Sequence, residues 1–289
     1  MKIVFPELNT NPVAKKATAS FPDLTFLPAS NLEEATSLLQ ERKADSLVSG
    51  LDYSSRDVLL ALKTHLPLKS AFFSSCFICE KDGNIFALAD GGVNKNPTPD
   101  QLFTIVEDTA TTFQTYTKEK PIIAMLSYST NGSGGKNPDL EKIHFVIQKI
   151  RETHPEWLID GEMQLDAAID PAISAKKFPN SVVKGQANVL ITPDLNSGNI
   201  LYKSLERFGG FTVAGPIIQG FEIPLADLSR GSTTEDVILV IKVLLRLCSE
   251  KSVGGYDRDR RSAPPVTTGR RDSVSEEYNL NLTTKEEQL

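Results

Sequence analysis

Ser30-Asn-Leu-Glu-Glu-Ala-Thr-Ser-Leu-Leu-Gln-Glu-Arg-Lys-Ala-Asp-Ser-Leu-Val-Ser-Gly50 contains the helix-to-strand change that sets the fold class. Ser30 and Glu33 have the spacing of a capping box, in which a hydroxyl and a carboxylate each satisfy a backbone N–H at a helix start. The spacing predicts a helix to about Lys43, followed by a strand over Ser46 to Ser49. Upstream, Met1 to Pro6 reads as a short apolar strand. Asn11 to Ser20 is a weak helix with Asn11 as N-cap and Pro12 at its first position, and Leu24 to Leu27 is a strand stopped by Pro28. Downstream, Asp57 to His65 reads as a helix. Strands and helices alternate, and the strands are near-continuous apolar runs. That is the pattern of a parallel sheet covered on both faces by helices, an α/β fold.

The middle of the chain departs from simple alternation. Phe72 to Cys79 and Asn84 to Ala89 flank Lys81-Asp-Gly83, a hairpin signal, and Asp90 to Asn94 is a loop. Thr98-Pro99 opens a helix to about Tyr116. The strand Ile122 to Leu126 runs into Ser127-Tyr-Ser-Thr-Asn-Gly-Ser-Gly-Gly-Lys136. A helix follows from about Pro138 to Glu152, with Leu140, Ile143, Val146, Ile147 and Ile150 on one face. Free N–H groups in such a strand–turn–helix can hold a phosphate. It is not a P-loop: Thr130 stands where the first Walker glycine is required, and Lys136 is followed by asparagine. The stretch reads equally well as a plain flexible turn. Ala187 to Thr192 is a further strand, Asp194 to Gly198 opens a helix to Phe208, and Gly209-Gly210 stops it before the strand Val213 to Ile218.

Pro224-Leu-Ala-Asp-Leu-Ser-Arg-Gly-Ser-Thr-Thr-Glu-Asp236 reads as a loop that delivers Ser229, Arg230 and Gly231 to a helix start, with Asp236 in the first turn. Anions settle at helix N-termini, and a guanidinium matches phosphate oxygens. A carboxylate beside them can serve as a base. The same residues also fit a purely structural capping box, Thr233-x-x-Asp236. The helix runs from about Thr233 to Cys248, and its branched face (Val237, Ile238, Val240, Ile241, Leu244, Leu245) predicts deep burial.

The 289 residues carry a net charge of -6, which argues against broad capture of nucleic acid or acidic membrane. The three cysteines are too few and too irregular for a disulfide framework. Cys76 and Cys79 lie three apart on an expected strand, so they face opposite sides and make a poor metal or redox pair. His65, His144 and His154 are scattered and read as surface or packing residues. No apolar run reaches the length of a membrane span, and no secretory leader is visible, so a soluble cytoplasmic protein is expected. After Lys251 the chain is rich in Arg, Asp, Ser, Thr and Pro, and residues 251–289 are expected to be disordered.

Several stretches together resemble the phosphate acetyltransferase (phosphotransacetylase) family. They are Leu158-Ile-Asp-Gly-Glu-Met-Gln-Leu-Asp-Ala-Ala168; Lys184-Gly-Gln-Ala-Asn-Val-Leu-Ile-Thr-Pro-Asp-Leu195 with Gly198-Asn199; and Gly215-Pro-Ile-Ile-Gln-Gly220 followed by Asp227-Leu-Ser-Arg-Gly231. Ala44-Asp-Ser-Leu-Val-Ser-Gly50 and Met125-Leu-Ser-Tyr-Ser-Thr130 support them. Coverage is near continuous from about Ala44 to Val243. The family includes phosphate butyryltransferases, and Asp-Leu-Ser-Arg-Gly is more similar to the acetyl-transferring branch.

The resemblance implies a two-domain, three-layer α/β/α fold like that of isocitrate and isopropylmalate dehydrogenases. Residues 1–72 with 220–250 would form a shortened domain I and 73–219 domain II. It implies a homodimer, and coenzyme A and acetyl phosphate as substrates in the cleft between domains, without metal or bound prosthetic group. Asp236 would take the thiol proton, Arg230 would hold the phosphoryl oxygens and Ser229 would donate a hydrogen bond, with Gly231 beside them. Ser127, Ser129, Thr130, Gly132 and Gly134 would line the phosphate side, and Asn199 would add a contact. Asp160, Glu162 and Asp166 would make structural hydrogen bonds at the domain interface. Two departures stand out. The stretch Glu7 to Lys43 replaces several βα units, with a family arginine among them. Where a second arginine is usual, this chain offers Ala71, Phe72 and, nearby, Lys69. Butyryl transfer, or a degenerate homologue that binds acyl phosphate or coenzyme A without catalysis, are the alternatives.

Overall fold

The apolar runs at the start of the chain pair side by side. β1 (Lys2–Val4) is central, flanked in parallel by β2 (Thr25–Leu27) and β3 (Ser46–Ser49). The structure is a computed structural model that describes residues 1–69 and 72–253. α1 (Pro12–Thr18) starts as expected, with Asn11 Oδ1 accepting the Val13 N–H at 2.9 Å. α2 (Leu32–Gln40) starts one residue late. Asn31 is the cap, and Glu34, not Glu33, reaches back to the Ser30 N–H at 2.7 Å. Asparagine caps as well as serine, so the box slides by one. The helix ends before Lys43 because Arg42 adopts a left-handed conformation, φ 55°. α3 (Ser55–His65) follows β3.

β4 (Ser74–Lys81) and β5 (Asn84–Ala89) form the expected hairpin. Asp82 and Gly83 have φ 51° and 80°, the left-handed pair that a tight two-residue turn needs. Cys76 and Cys79 are both buried and enter different hydrophobic clusters, as opposite faces of a strand require. Burial pushes the Cys79 thiol up to about 12, so it is inert. α4 (Pro99–Thr117), β6 (Ile122–Leu126), α5 (Pro138–Thr153) and β7 (Leu158–Met163) follow. Two short helices, α6 (Leu165–Ile169) and α7 (Pro171–Lys177), occupy a stretch whose pattern predicted no element. Then come β8 (Val189–Ile191), α8 (Leu195–Arg207), β9 (Thr212–Gln219), β10 (Leu225–Asp227) and α9 (Thr234–Val253). β10 corrects the expectation of a loop over Pro224 to Asp236. Three residues are too few to show a period, and only their pairing with β3 and β9 makes them a strand. Residues 251–253, expected to begin the disordered tail, instead continue α9, and the remainder, 254–289, lies outside the described residues.

Among the described residues, ten strands join one sheet in the order β2-β1-β3-β10-β9-β4-β5-β8-β6-β7. α1, α4, α5 and α9 pack on one face, and α2, α3, α6, α7 and α8 on the other, giving three layers. On α9, Val237, Val240, Ile241, Val243 and Leu244 are fully buried. Strand direction decides at which edge of the sheet each connecting loop emerges. β10 runs parallel to β3 but antiparallel to β9, and β9 and β4, then β4 and β5, are antiparallel pairs. β8 and β6 run with β5. The chain therefore leaves β10 at one edge of the sheet and leaves β5, β6 and β8 at the opposite edge.

Candidate active site

The turn after β10 is built by short-range bonds. The Ser229 hydroxyl accepts the Gly231 N–H at 3.2 Å, and the Ser232 N–H donates to Ser229 O at 2.9 Å. The turn then enters α9. Thr233 Oγ1 accepts the Asp236 N–H at 3.2 Å, and Asp236 Oδ2 accepts the Thr233 N–H at 2.8 Å and its hydroxyl at 2.7 Å. This is the capping box, closed in both directions. Asp236 Oδ1 accepts the Val213 N–H of β9 at 2.9 Å, so the carboxylate also ties α9 to the sheet. Asp236 is buried, 4% exposed, with three donors on its two oxygens. Arg230 is exposed, and among the described residues its side chain has no hydrogen-bond or ion-pair partner. No bond joins Arg230 to Asp236.

A second guanidinium stands at this turn. Arg207, at the end of α8, donates from Nη2 to Gly231 O at 3.4 Å, with Glu206 3.4 Å away. A Cβ on Gly231 would lie 3.1 Å from that nitrogen, so glycine leaves room for it. Lys81, at the end of β4 on the same edge, donates to Gly209 O at 2.7 Å. Arg207 and Arg230 thus stand at a turn with an exposed glycine, with Lys81 at Gly209 on the same edge, an arrangement suited to an anion. Pattern reading missed Arg207. Its only sequence signal is a basic residue in the last turn of a helix, which ordinarily serves the helix dipole.

The other expected residues stand on the opposite edge. The loop after β6 is wrapped around Glu162, which is wholly buried. Glu162 Oε1 accepts the Gly132 N–H at 2.7 Å and the Ser129 hydroxyl at 2.9 Å, and Oε2 meets His144 Nε2 at 2.6 Å. Burial pushes this carboxyl up, but the bonds from Gly132, His144 and Ser129 outweigh it and hold the group below its usual range. Ser129 also accepts the Gly134 N–H at 2.7 Å, and Thr130 Oγ1 accepts the Gln164 N–H at 2.9 Å. Ser127 is half-buried beside them. Asn199 donates to Gly91 O at 3.1 Å, fixing the turn after β5. Ser129, Thr130 and Asn199 are therefore engaged in holding their own loops. One chain holds Ser229, Arg230, Gly231 and Asp236 at one turn, gathers Ser127, Ser129, Thr130, Gly132 and Gly134 in another, and places Asn199 at the turn after β5. It does not bring these groups to one point.

A pocket of about 440 Å³ lies at the carboxyl ends of β1, β2 and β3 and includes Glu7, Glu34, Asp52 and Tyr53. Three carboxylates with no lining cation make it a poor phosphate site.

Residues 13–244 match the family described as phosphate acetyl/butaryl transferase. The chain belongs to that family. A phosphate acetyltransferase from Clostridium acetobutylicum is 40% identical over 219 residues, 72% of this chain and 65% of the relative. The chain thus spans just under two thirds of that relative's length. A solved phosphotransacetylase from Streptococcus pyogenes superposes with a TM-score of 0.77 at 30% identity, covering 86% of this chain and 94% of the other. A protein described as a 4-hydroxythreonine-4-phosphate dehydrogenase from Salmonella typhimurium shares the fold alone, with a TM-score of 0.51 at 11% identity. The family's α/β architecture with a dehydrogenase-like fold is the one found here. Asp160 and Asp166 are structural hydrogen-bonding groups: Asp160 pairs with Arg151 at 3.0 Å and Asp166 with Lys177 at 2.7 Å. Lys69 sits with Asp108 in a pocket of about 260 Å³ at the end of β9, on the edge away from Ser229.

Proposed function

We propose that this protein is a phosphate acetyltransferase, moving an acetyl group reversibly between coenzyme A and phosphate in the cytoplasm. The observation that carries the reading is the exposed Arg230, without a side-chain partner among the described residues, in a Ser-Arg-Gly turn that Arg207 also reaches. Two guanidiniums at one turn suit the oxygens of acetyl phosphate. A thiol ordinarily titrates near 8.5, so a base speeds thiolate formation at neutral pH. In the reading, Asp236 takes that proton. The sulfur attacks the acetyl carbon, the C–S bond forms, the C–O bond to phosphate breaks, and phosphate leaves with the electron pair. Arg230 and Ser229 stabilise the oxygens on which charge accumulates. For Asp236 to act, the thiol must reach the lone pair that Oδ1, bonded among the described residues only to the Val213 N–H, leaves open.

The proposal takes residues 1–72 with 220–250 and residues 73–219 as two domains, with the site at their junction. Under it, the Asp236–Val213 and Arg207–Gly231 bonds both cross the boundary. The proposal includes a homodimer. The loop Ser127 to Gly134 and Asn199 can meet the Ser229 turn only if a second copy supplies them. Mixing Arg230→Ala chains with Ser127→Ala chains tests this: restored turnover in the mixture is expected, and no restoration removes those six residues from the site.

A non-catalytic binder on the same scaffold is the second reading, favoured by the burial of Asp236, 4% exposed. Thioester absorbance with acetyl, propionyl and butyryl phosphates decides. Acetyl-CoA formed fastest from acetyl phosphate is the expected result. Binding without thioester supports the second reading, and faster butyryl transfer reassigns the branch.

A further inference from the structure

Two carboxyl groups that the proposed chemistry does not use converge on Gly50. Glu7 is 2% exposed and Asp227 is fully buried. Glu7 Oε1 accepts the Gly50 N–H at 2.7 Å and the Ser49 hydroxyl at 3.1 Å. On the same glycine, a Cβ would lie 2.6 Å from Asp227 Oδ1. Among the described residues, Glu7 Oε2 and both oxygens of Asp227 have no hydrogen-bond partner. The neighbouring groups are Ser49 on β3, Asp52 and Tyr53 after it, Ser55 on α3 and Leu228 after β10. None is cationic.

Asp227, fully buried and with no donor on either oxygen among the described residues, is not stable as a carboxylate beside a second carboxyl group without counter-charge. A proton supplies it, and a protonated carboxyl is also the donor that the orphan oxygens lack. We propose that Asp227 is protonated in the folded protein, and that this neutral carboxyl, packed near Glu7 at Gly50, is a positioning element that seats the Ser229 turn. Asp227 ends β10 two residues before Ser229, and the Leu228 N–H beside it donates to Ser49 O at 2.5 Å. Burial pushes the Asp227 carboxyl up to about 7, Glu7 raises it further, and Ser55, close by but outside hydrogen-bonding geometry, opposes. Loss of the proton sets two like charges against each other and drives the end of β10 away from β3. The seating role rests on the proposed function. The proton does not.

Asp227→Asn keeps the shape and a donor but does not ionise. In the parent, infrared spectroscopy should show a protonated-carboxyl band at pH 6 that fades by pH 8 and is weaker throughout in the variant. The variant should gain stability on the parent across the same range. The ratio of kcat/KM, variant to parent, should rise up to about tenfold between pH 6 and 8, as titration of one group near 7 requires. Glu7→Gln, the second variant, should shift the fading to lower pH. A parent without the band, or a constant stability gap, overturns the protonated Asp227. A band that behaves as expected with a flat kcat/KM ratio overturns the seating role. If the parent transfers no acetyl group, the functional reading fails and the band and the stability gap still decide the proton.

Discussion

Arg207 reaches Gly231 from the end of α8, so two guanidiniums flank one short turn from elements far apart in sequence. Each charged hydrogen bond to phosphate is worth about 1.5–3 kcal/mol. Arg230→Ala should therefore lower kcat/KM for acetyl phosphate by roughly ten- to a hundredfold. Arg207→Ala should cost less, because its bond to Gly231 is long and Glu206 shares its charge. Steady-state kinetics on both variants checks the order. Asp236 carries two roles that substitution separates. Asp236→Asn keeps an acceptor for Val213, so stability should fall by only about 1 kcal/mol, while turnover should fall by about two to four orders of magnitude. Chemical denaturation beside kinetics reads both, and unchanged turnover would leave Asp236 as a cap alone. At this scale, Ser229, Arg230 and Asp236 were legible because they lie within eight residues of one motif. Arg207 was not, because nothing local distinguishes it from any other basic residue ending a helix.

The loop after β6 shows an element organised by one buried charge. Glu162 holds Ser129, Gly132 and His144, and each bond favours its ionised form. Glu162→Ala should destabilise the protein by about 2–4 kcal/mol, since it strands buried donors, and Glu162→Gln by less. Because the folded-state pKa is lowered, this support is fully present above the unfolded carboxyl value. It disappears as pH falls through the lower folded value. Hydrogen exchange at Gly132 and Gly134 should accelerate below about pH 4 in the parent, and at every pH in Glu162→Ala. The Ser/Gly/Thr composition of the loop was equally consistent with a phosphate cradle or a plain turn. The partner that decides its shape sits thirty residues downstream of Gly132. Helix starts, by contrast, were readable at Asn11, Thr98 and Asp194, because a cap and its N–H lie within three residues of each other.

Across the whole molecule, pH acts in opposite directions at two buried carboxyls. Asp227 is raised to about 7, so the folded state binds more protons than the unfolded chain between about 4 and 7. Stability from this site is fully present below about 4 and is lost as pH rises through 7, an effect of up to roughly 4 kcal/mol. Glu162 contributes the reverse below pH 4. Parent stability should therefore peak in mildly acid solution and decline toward pH 8, and Asp227→Asn should flatten the alkaline side. Urea unfolding from pH 4 to 9 measures both limbs. Local residue patterns were enough for the α/β class, the hairpin, the opposite facing of Cys76 and Cys79, the capped helix starts and the Ser229–Asp236 motif, because each rests on periods and caps that act over a few residues. Tertiary structure alone decided that β10 is a strand, that β6 and β10 end at opposite edges of the sheet, that Arg207 joins Gly231, and that Glu7 and Asp227 meet at Gly50. Those facts depend on strand direction and on which distant segments pair, and no local pattern of residues carries either.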